Sequence, residues 1–392
     1  MYYYNITFCA IIRVHSYLSL TAFRLLHPLW DCKNYNKQKG LFDIGKIDQH
    51  IEIVSSTVPG WSSMSAVSRN AAADTLRRRY SRVGITIVNN LADLEALVAK
   101  APDLVLLGMK YIVSDPQPDS ATGETIWLAD YLSERDIATT GSQSMAHRLE
   151  LDKALAKQSV LDAGFSSSAF YVASVGQPLD AGRLPGDYPL FVKPVNLGGG
   201  AGIDSDSVVN NLGELQSKVD SIAFTLGADS LIEEYLPGRE FSVGILWDDE
   251  QNYFVGMPLE LIAPQNEHGA RLLSNQVKSA DAEQAIAVTD SKLHQSLIDL
   301  AVGAFQSIGG RDYGRVDIRM DSSGTLHFLE ANLIPSLIEN YGSFPKACAL
   351  NRAIGYEEML LQIVELAMSR AACTGELPLL APRQDIVHSL SL

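Results

Sequence analysis

Tyr313-Gly-Arg315-Val-Asp317-Ile-Arg319-Met-Asp321-Ser-Ser-Gly324-Thr-Leu-His327-Phe-Leu-Glu330-Ala-Asn332 is the stretch that decides the fold. Period-two alternation sends Arg315, Asp317 and Arg319 to one face and Val316, Ile318 and Met320 to the other. Asp321-Ser-Ser-Gly324 is a turn signal, so two antiparallel strands are expected. The simplest register sets Arg315 opposite Glu330, with Asp317 a diagonal neighbour of Glu330 on the same face. Two carboxylates and the amide oxygen of Asn332 then converge. Like charges so placed repel unless a cation sits between them. Hard oxygen donors suit Mg²⁺, which takes one or two carboxylates plus substrate phosphates. Taken alone, the stretch also fits an Arg–Asp–Glu network that serves structure only.

Working outward, Tyr188-Pro-Leu-Phe-Val-Lys193-Pro-Val-Asn-Leu-Gly198-Gly199-Gly200-Ala-Gly202-Ile is an apolar strand that delivers a lysine into a glycine-rich loop. Glycines let the backbone approach a ligand, with N–H groups free to cradle phosphate oxygens. Lys193 adds a point charge. The loop lacks Gly-Lys-[Ser/Thr], so it is no P-loop, and it does not open a first βα unit as the dinucleotide fingerprint requires. Leu231-Ile-Glu233-Glu234-Tyr235-Leu236-Pro-Gly-Arg-Glu240-Phe is a strand ending in acids and an aromatic, a turn, and a second strand. Such carboxylates can accept from an amino group or from sugar hydroxyls. Alone, the segment also fits a solvated acidic hairpin.

Elsewhere the pattern predicts strands at Ile51–Val54, Val83–Val88 and Asp103–Leu107, alternating with helices at Ala66–Tyr80 and Leu91–Ala99. That alternation predicts a parallel α/β layer. A single long helix is expected over Gln143–Ala163, closed by Gly164. Further on, strands outnumber helices, with helices expected at Leu212–Ser221, Ser291–Ser307 and Tyr356–Ala372. The domains read as 1–48, an extension of no clear pattern; 49–142, a small parallel-sheet α/β unit; 143–228 and 229–375, two α+β subdomains; and 376–392, a tail.

The 392 residues exceed one ordinary domain. The formal net charge of −15 argues against nucleic acid or an anionic membrane as partner, since both need a basic face. No apolar run is long enough for a membrane span. Met1–Ile12 is apolar but lacks a basic leader, so no signal peptide is expected. Cys9, Cys32, Cys348 and Cys373 form no CxxC pair and read as free thiols in a reducing compartment. Gly-x-Ser-x-Gly and His-Glu-x-x-His are absent and the eight histidines are scattered, which excludes the common serine-hydrolase and zinc-protease signatures.

The three stretches, in this order, resemble the ATP-grasp fold, and specifically the D-alanine–D-alanine ligases. Leu151-Asp152-Lys153-Ala-Leu-Ala-Lys157 is similar to the family's Asp-Lys helix. The resemblance spans roughly 84–370 and implies an ATP-grasp fold preceded by a small parallel-sheet (Rossmann-like) N-terminal domain. It implies that Lys153, Lys193 and the Gly198–Gly200 loop hold ATP phosphates. Glu233, Glu234, Tyr235 and Leu236 would surround adenine, and Glu240 would take the ribose hydroxyls. Asp317, Glu330 and Asn332 would ligate two Mg²⁺ ions, which Mn²⁺ could replace. Arg315 would stabilise the tetrahedral oxyanion, and Lys278 would close a mobile loop over the γ-phosphate. The substrates implied are ATP and small amino acids, joined through an acylphosphate by a cytoplasmic enzyme that forms a homodimer.

The departures fall in the amino-acid half. The family's first loop carries a Glu for the first substrate's amino group, whereas Pro59-Gly-Trp-Ser-Ser-Met-Ser65 has no acid. Serines of the family's glycine-rich loop are replaced by Gly199-Gly200. After Asn332, where the family has a Pro-Gly pair and a later Ser-Leu pair, the chain reads Pro335-Ser336-Leu337. Tyr341 stands in a serine's place. A ligase for another amino-acid pair, as in secondary metabolism, and a non-catalytic nucleotide-binding protein are the two alternatives.

Overall fold

In a computed structural model of the chain, the residues described are 46–114, 123–265, 271, 273, 277, 280 and 282–373. Lys278, the segment before residue 46 and the tail after residue 373 lie outside them. Among the described residues, no helix is long and apolar enough to cross a membrane.

The chain begins with β1 (Ile47–Ser55), α1 (Ala66–Arg79), β2 (Tyr80–Ile87), α2 (Leu91–Ala99), β3 (Leu104–Leu107), the hairpin strands β4 (Tyr111–Val113) and β5 (Thr125–Trp127), α3 (Leu128–Ser133) and β6 (Ala138–Thr139). Their sheet is parallel, in the order β2-β1-β3-β6, as the strand–helix alternation predicts. Both larger helices start on capping side chains: Ser65 accepts from the Ser68 amide and Asn90 from the Asp93 amide.

The helix expected over Gln143–Ala163 is two helices, α4 (Ser144–Leu151) and α5 (Lys153–Asp162). The break is Asp152, whose backbone is extended and whose carboxylate accepts from the Ala154 and Leu155 amides. A side chain that caps a new helix competes with propagation of the old one.

Next come β7 (Phe170–Ala173), β8 (Leu190–Pro194), β9 (Val208–Val209), α6 (Leu212–Leu226) and β10 (Ser230–Glu234), which form an antiparallel sheet in the order β7-β10-β8-β9. The last sheet is antiparallel, in the order β13-β12-β11-β14-β15. It is built from β11 (Glu240–Asp248), β12 (Tyr253–Ile262), β13 (Gln284–Ala287), β14 (Tyr313–Met320) and β15 (Leu326–Asn332). Helices α7 (Ser291–Ser307), α8 (Ser343–Arg352) and α9 (Tyr356–Cys373) accompany it.

The β14–β15 register differs from the expected one. Arg315 faces Asn332, and Asp317, not Arg315, faces Glu330. Two one-residue offsets cause it: the turn is longer, so Met320 pairs with Leu326 rather than Thr325, and a bulge follows, since Asp317 pairs with Glu330 but Ile318 with Phe328, which leaves Leu329 as an extra residue.

One core lies between this sheet and α7, where Val243, Val316, Ile318 and Phe328 meet Leu297, Ala301 and Phe305. Each of these side chains larger than alanine contributes about 1.5–3 kcal/mol by leaving water, so the apolar face of β14 fixes its polar face. A second core joins Ile51 and Ile53 of β1, Leu76 of α1, and Met359, Leu360 and Ile363 of α9. The last described helix therefore returns to pack on the first sheet.

Candidate active site

The polar face of β14 and β15 confronts β8, β10 and the start of α5. The Asp152 cap makes Lys153 the first residue of α5, which sends its side chain back toward the loop after β8. Its Nζ donates to the carbonyls of Leu197 and, at 3.4 Å, Val195, and lies 4.0 Å from the Glu330 carboxylate. Burial lowers the Lys153 pKa, and Glu330 only partly offsets this.

Glu233 is buried and holds two lysines. Its Oε1 is 2.6 Å from Lys157 Nζ and its Oε2 is 2.6 Å from Lys193 Nζ. Burial alone would raise its pKa, but Lys157 and Lys193 outweigh that and hold it at about 2. Burial likewise opposes the charge on Lys193, yet Glu233 and Glu330 raise its pKa. Lys157 is fully enclosed; burial dominates and brings it down to about 8.

Between the two antiparallel sheets lies a cleft. Phe191, Ile203, Tyr235, Leu236 and Leu329 supply apolar walls, and Lys193, Glu234, Glu240, Asp317, Arg319 and Glu330 supply polar ones. A cleft with flat apolar walls and a few convergent polar groups suits a planar base carrying charged substituents. Glu240 accepts from Arg319 at 2.8 Å. Arg319 also donates to the Arg271 carbonyl and lies 5.9 Å from the Tyr235 ring centre.

Asp317 accepts from Ser242 Oγ at 2.8 Å and from Arg315 Nη2 at 2.9 Å. Burial opposes the charge on Arg315, but Asp317 and Glu330 raise its pKa overall. Asn332 Nδ2 and Arg315 Nε are buried without a partner among the described residues. Orphaned polar atoms beside facing carboxylates fit a site whose remaining partners are exogenous. No three His, Cys, Asp or Glu side chains among the described residues gather as a metal cage. Two carboxylates and an amide oxygen instead fit Mg²⁺, which leaves most of its sphere to phosphates and water.

Gly199 and Gly200 both adopt positive φ, +68° and +80°, which glycine takes without steric cost. Gly198–Gly200 do not line the cleft, though Ile203 just after them does. The structure thus brings together Lys153, Lys193, Glu233, Tyr235, Leu236, Glu240, Asp317 and Glu330, sets Arg315 and Asn332 alongside, and leaves the glycines at the rim.

Several residues were not legible as site residues. Lys157 is one. Glu150 of α4 is another: it is buried and accepts from Lys110 at 2.7 Å and from the amide of Leu333, the residue after Asn332, at 2.9 Å. Its Oε2 lies 3.1 Å from His147 Nδ1. Burial would raise the Glu150 pKa, but Lys110 and His147 outweigh it and lower the value. Neither periodicity nor spacing marks these side chains as buried.

Residues 184–365 match the family model described as "D-ala D-ala ligase C-terminus". The D-alanine–D-alanine ligase of Syntrophotalea carbinolica is 31% identical over 63% of this chain and 76% of its own length. The uncharacterized protein y4sG of Sinorhizobium fredii is also 31% identical, over 59% of this chain and 66% of that one. The crystal structure of D-alanine–D-alanine ligase from Bacillus anthracis complexed with ATP superposes with a TM-score of 0.65. It is 18% identical and covers 84% of this chain and 100% of that one, a likeness of fold. With the cleft and its facing carboxylates, these similarities establish that the chain is an ATP-dependent ligase and belongs to the D-alanine–D-alanine ligase family, with its ATP-grasp fold.

Proposed function

We propose that the chain joins a carboxylate to an amine at the expense of ATP, with the nucleotide in the cleft between the two antiparallel sheets. The observation that carries this is the approach of Lys153 to Glu330 at 4.0 Å, with Lys193, Asp317 and Glu330 on the walls of one cleft. Tyr235 and Leu236 sandwich adenine beside Glu234, and Glu240 takes the ribose hydroxyls. Lys153 and Lys193 hold phosphate oxygens, with the amides around Gly199 at the rim. Asp317, Glu330 and Asn332 hold Mg²⁺, which supplies charge neutralisation at the triphosphate when bound. The resemblance also supports two such ions, a homodimer and a cytoplasmic location.

The substrate carboxylate attacks the γ-phosphorus and ADP leaves, giving an acylphosphate. The amine then attacks the acyl carbon, and phosphate leaves as the amide forms. Arg315 faces the oxyanion that develops in this second step. Positioning and charge stabilisation do most of this work.

The substrate pair differs, in this reading, from two D-alanines. The loop Pro59–Ser65 carries no acid to receive an ammonium group. Instead Trp61 packs near Tyr111, ring centres 6.3 Å apart, and Tyr111 near Trp127 at 5.4 Å. A loop with no carboxylate cannot form an ion pair with a substrate ammonium group, so the first substrate is held by other contacts than that pair. The test is ATP consumption with Mg²⁺ and a panel of D- and L-amino acids, with product masses read directly. A condensed product that forms only with ATP and Mg²⁺ is expected. Nucleotide binding with neither ADP nor product across the panel would instead support a non-catalytic binding protein.

A further inference from the structure

Lys157 is a fully buried ammonium that the proposed chemistry does not use. Its Nζ lies 3.0 Å from each of the Ser167 and Ser168 hydroxyls and the Phe328 carbonyl, and 2.6 Å from Glu233. Ser168 also donates to Glu233 Oε1, at 3.0 Å. Glu233 therefore gives one oxygen to Lys157 and the other to Lys193. Lys193 lines the nucleotide cleft, whereas Lys157 lies behind it.

A buried carboxylate cannot be left without a cation, because breaking one side of a buried pair costs more than the pair itself is worth. Were Glu233 to have Lys193 as its sole cation, withdrawing Lys193 toward a phosphate would leave that carboxylate uncompensated. With Lys157 as a second, permanent partner, Lys193 can swing toward an anion while Glu233 stays neutralised. Lys157 is suited to a fixed position, since two serine hydroxyls and a backbone carbonyl of β15 share its N–H groups with Glu233. We infer that Lys157 is a positioning residue that neutralises Glu233 and so releases Lys193 to grip the triphosphate.

The inference rests on the nucleotide reading of the cleft, and the test keeps the two separable. A non-hydrolysable ATP analogue with Mg²⁺ is titrated calorimetrically into wild type, K157M, E233Q and K157M/E233Q, with adenosine as a second ligand. In K157M, triphosphate affinity is expected to fall about tenfold, the scale of one charge-assisted contact, while adenosine affinity stays within about twofold. Removing the carboxylate removes the need for its second cation, so the double variant is expected to bind within about threefold of E233Q.

K157M binding the analogue as wild type does overturns the inference. So does equal loss for adenosine, which marks a merely structural lysine, or a double variant more than about threefold weaker than E233Q. Should K157M fail to fold, the comparison of the double variant with E233Q decides alone. A wild-type chain that binds no Mg²⁺-analogue overturns the nucleotide reading itself, and the inference with it.

Discussion

Asp317 lies directly across from Glu330 on neighbouring antiparallel strands, and the bulge at Leu329 sets that pairing. Like charges placed opposite each other destabilise a sheet. Here Arg315 and Lys153 flank the pair at 2.9 Å and 4.0 Å, so the strands tolerate it without metal. Two carboxylates and one amide oxygen form half a coordination sphere at most. Mg²⁺ alone is therefore expected to leave the melting temperature nearly unchanged. Mg²⁺ with a saturating ATP analogue is expected to raise it by about 3 °C, as mass action at a hundredfold excess over Kd contributes about 2.7 kcal/mol. Differential scanning fluorimetry reads both. A large shift with Mg²⁺ alone would mean a dedicated metal cage.

Arg315→Ala should separate binding from chemistry. Its guanidinium is anchored on Asp317 and faces the acyl centre in the proposed arrangement. Loss of a preorganised donor to a developing oxyanion typically costs about 10²–10³ in kcat. Steady-state kinetics should show that fall with the KM for ATP changed by less than about threefold. A change in KM alone would assign Arg315 to ground-state binding.

The pH dependence of stability carries a signature of Glu233. Its carboxyl is held at about 2, below its ordinary 4.5, by Lys157 and Lys193 despite burial. A depressed carboxyl binds fewer protons in the folded state than in the unfolded one, so stability falls as pH falls. The contribution is complete above about 4.5 and is lost progressively between about 4.5 and 2. Acid unfolding of E233Q should lack that component. An unchanged slope in this window would show that Glu233 is not the group responsible.

Asp312 and Arg370 provide a control outside the lining of the cleft. Arg370 Nη1 contacts both Asp312 oxygens, at 2.6 and 2.7 Å, and Nη2 donates to the Thr139 carbonyl of β6. Asp312 in turn accepts from the Gly141 amide. This ties α9 to the first and last sheets. Removing one partner of a buried pair costs about 3–5 kcal/mol, so Arg370→Ala should lower the denaturation midpoint while folded protein keeps its KM values. A specific loss of turnover without loss of stability would give Arg370 another role.

Much of this arrangement was legible in the sequence where a single local rule governed. β14 runs to the Asp321–Gly324 turn as the alternation predicts, and α7 spans the expected Ser291–Ser307, with Asp290 capping its first turn. The order of the stretches pointed to side chains that meet in one cleft, among them Lys193, Tyr235, Glu240, Asp317 and Glu330. What escaped depends on long-range packing. A bulge such as that at Leu329 leaves no mark in an alternating pattern. Lys157 reads as an ordinary surface lysine until β10 and β15 enclose it. Asp152 looks like one more polar helix residue, although it starts the helix that aims Lys153. Helix α8 was not among the expected helices; its Pro345 sits in the first turn, where the missing N–H costs nothing.

The most direct test asks whether the two sheets act on one nucleotide. Binding of an ATP analogue would be titrated with and without Mg²⁺ in wild type, Lys193→Met of β8 and Glu330→Gln of β15. The account predicts a loss of about tenfold or more in both variants, one for each lost charged contact, with the Mg²⁺ dependence abolished in Glu330→Gln alone. Affinity within about twofold of wild type in either variant, or binding indifferent to Mg²⁺ in wild type, would contradict it.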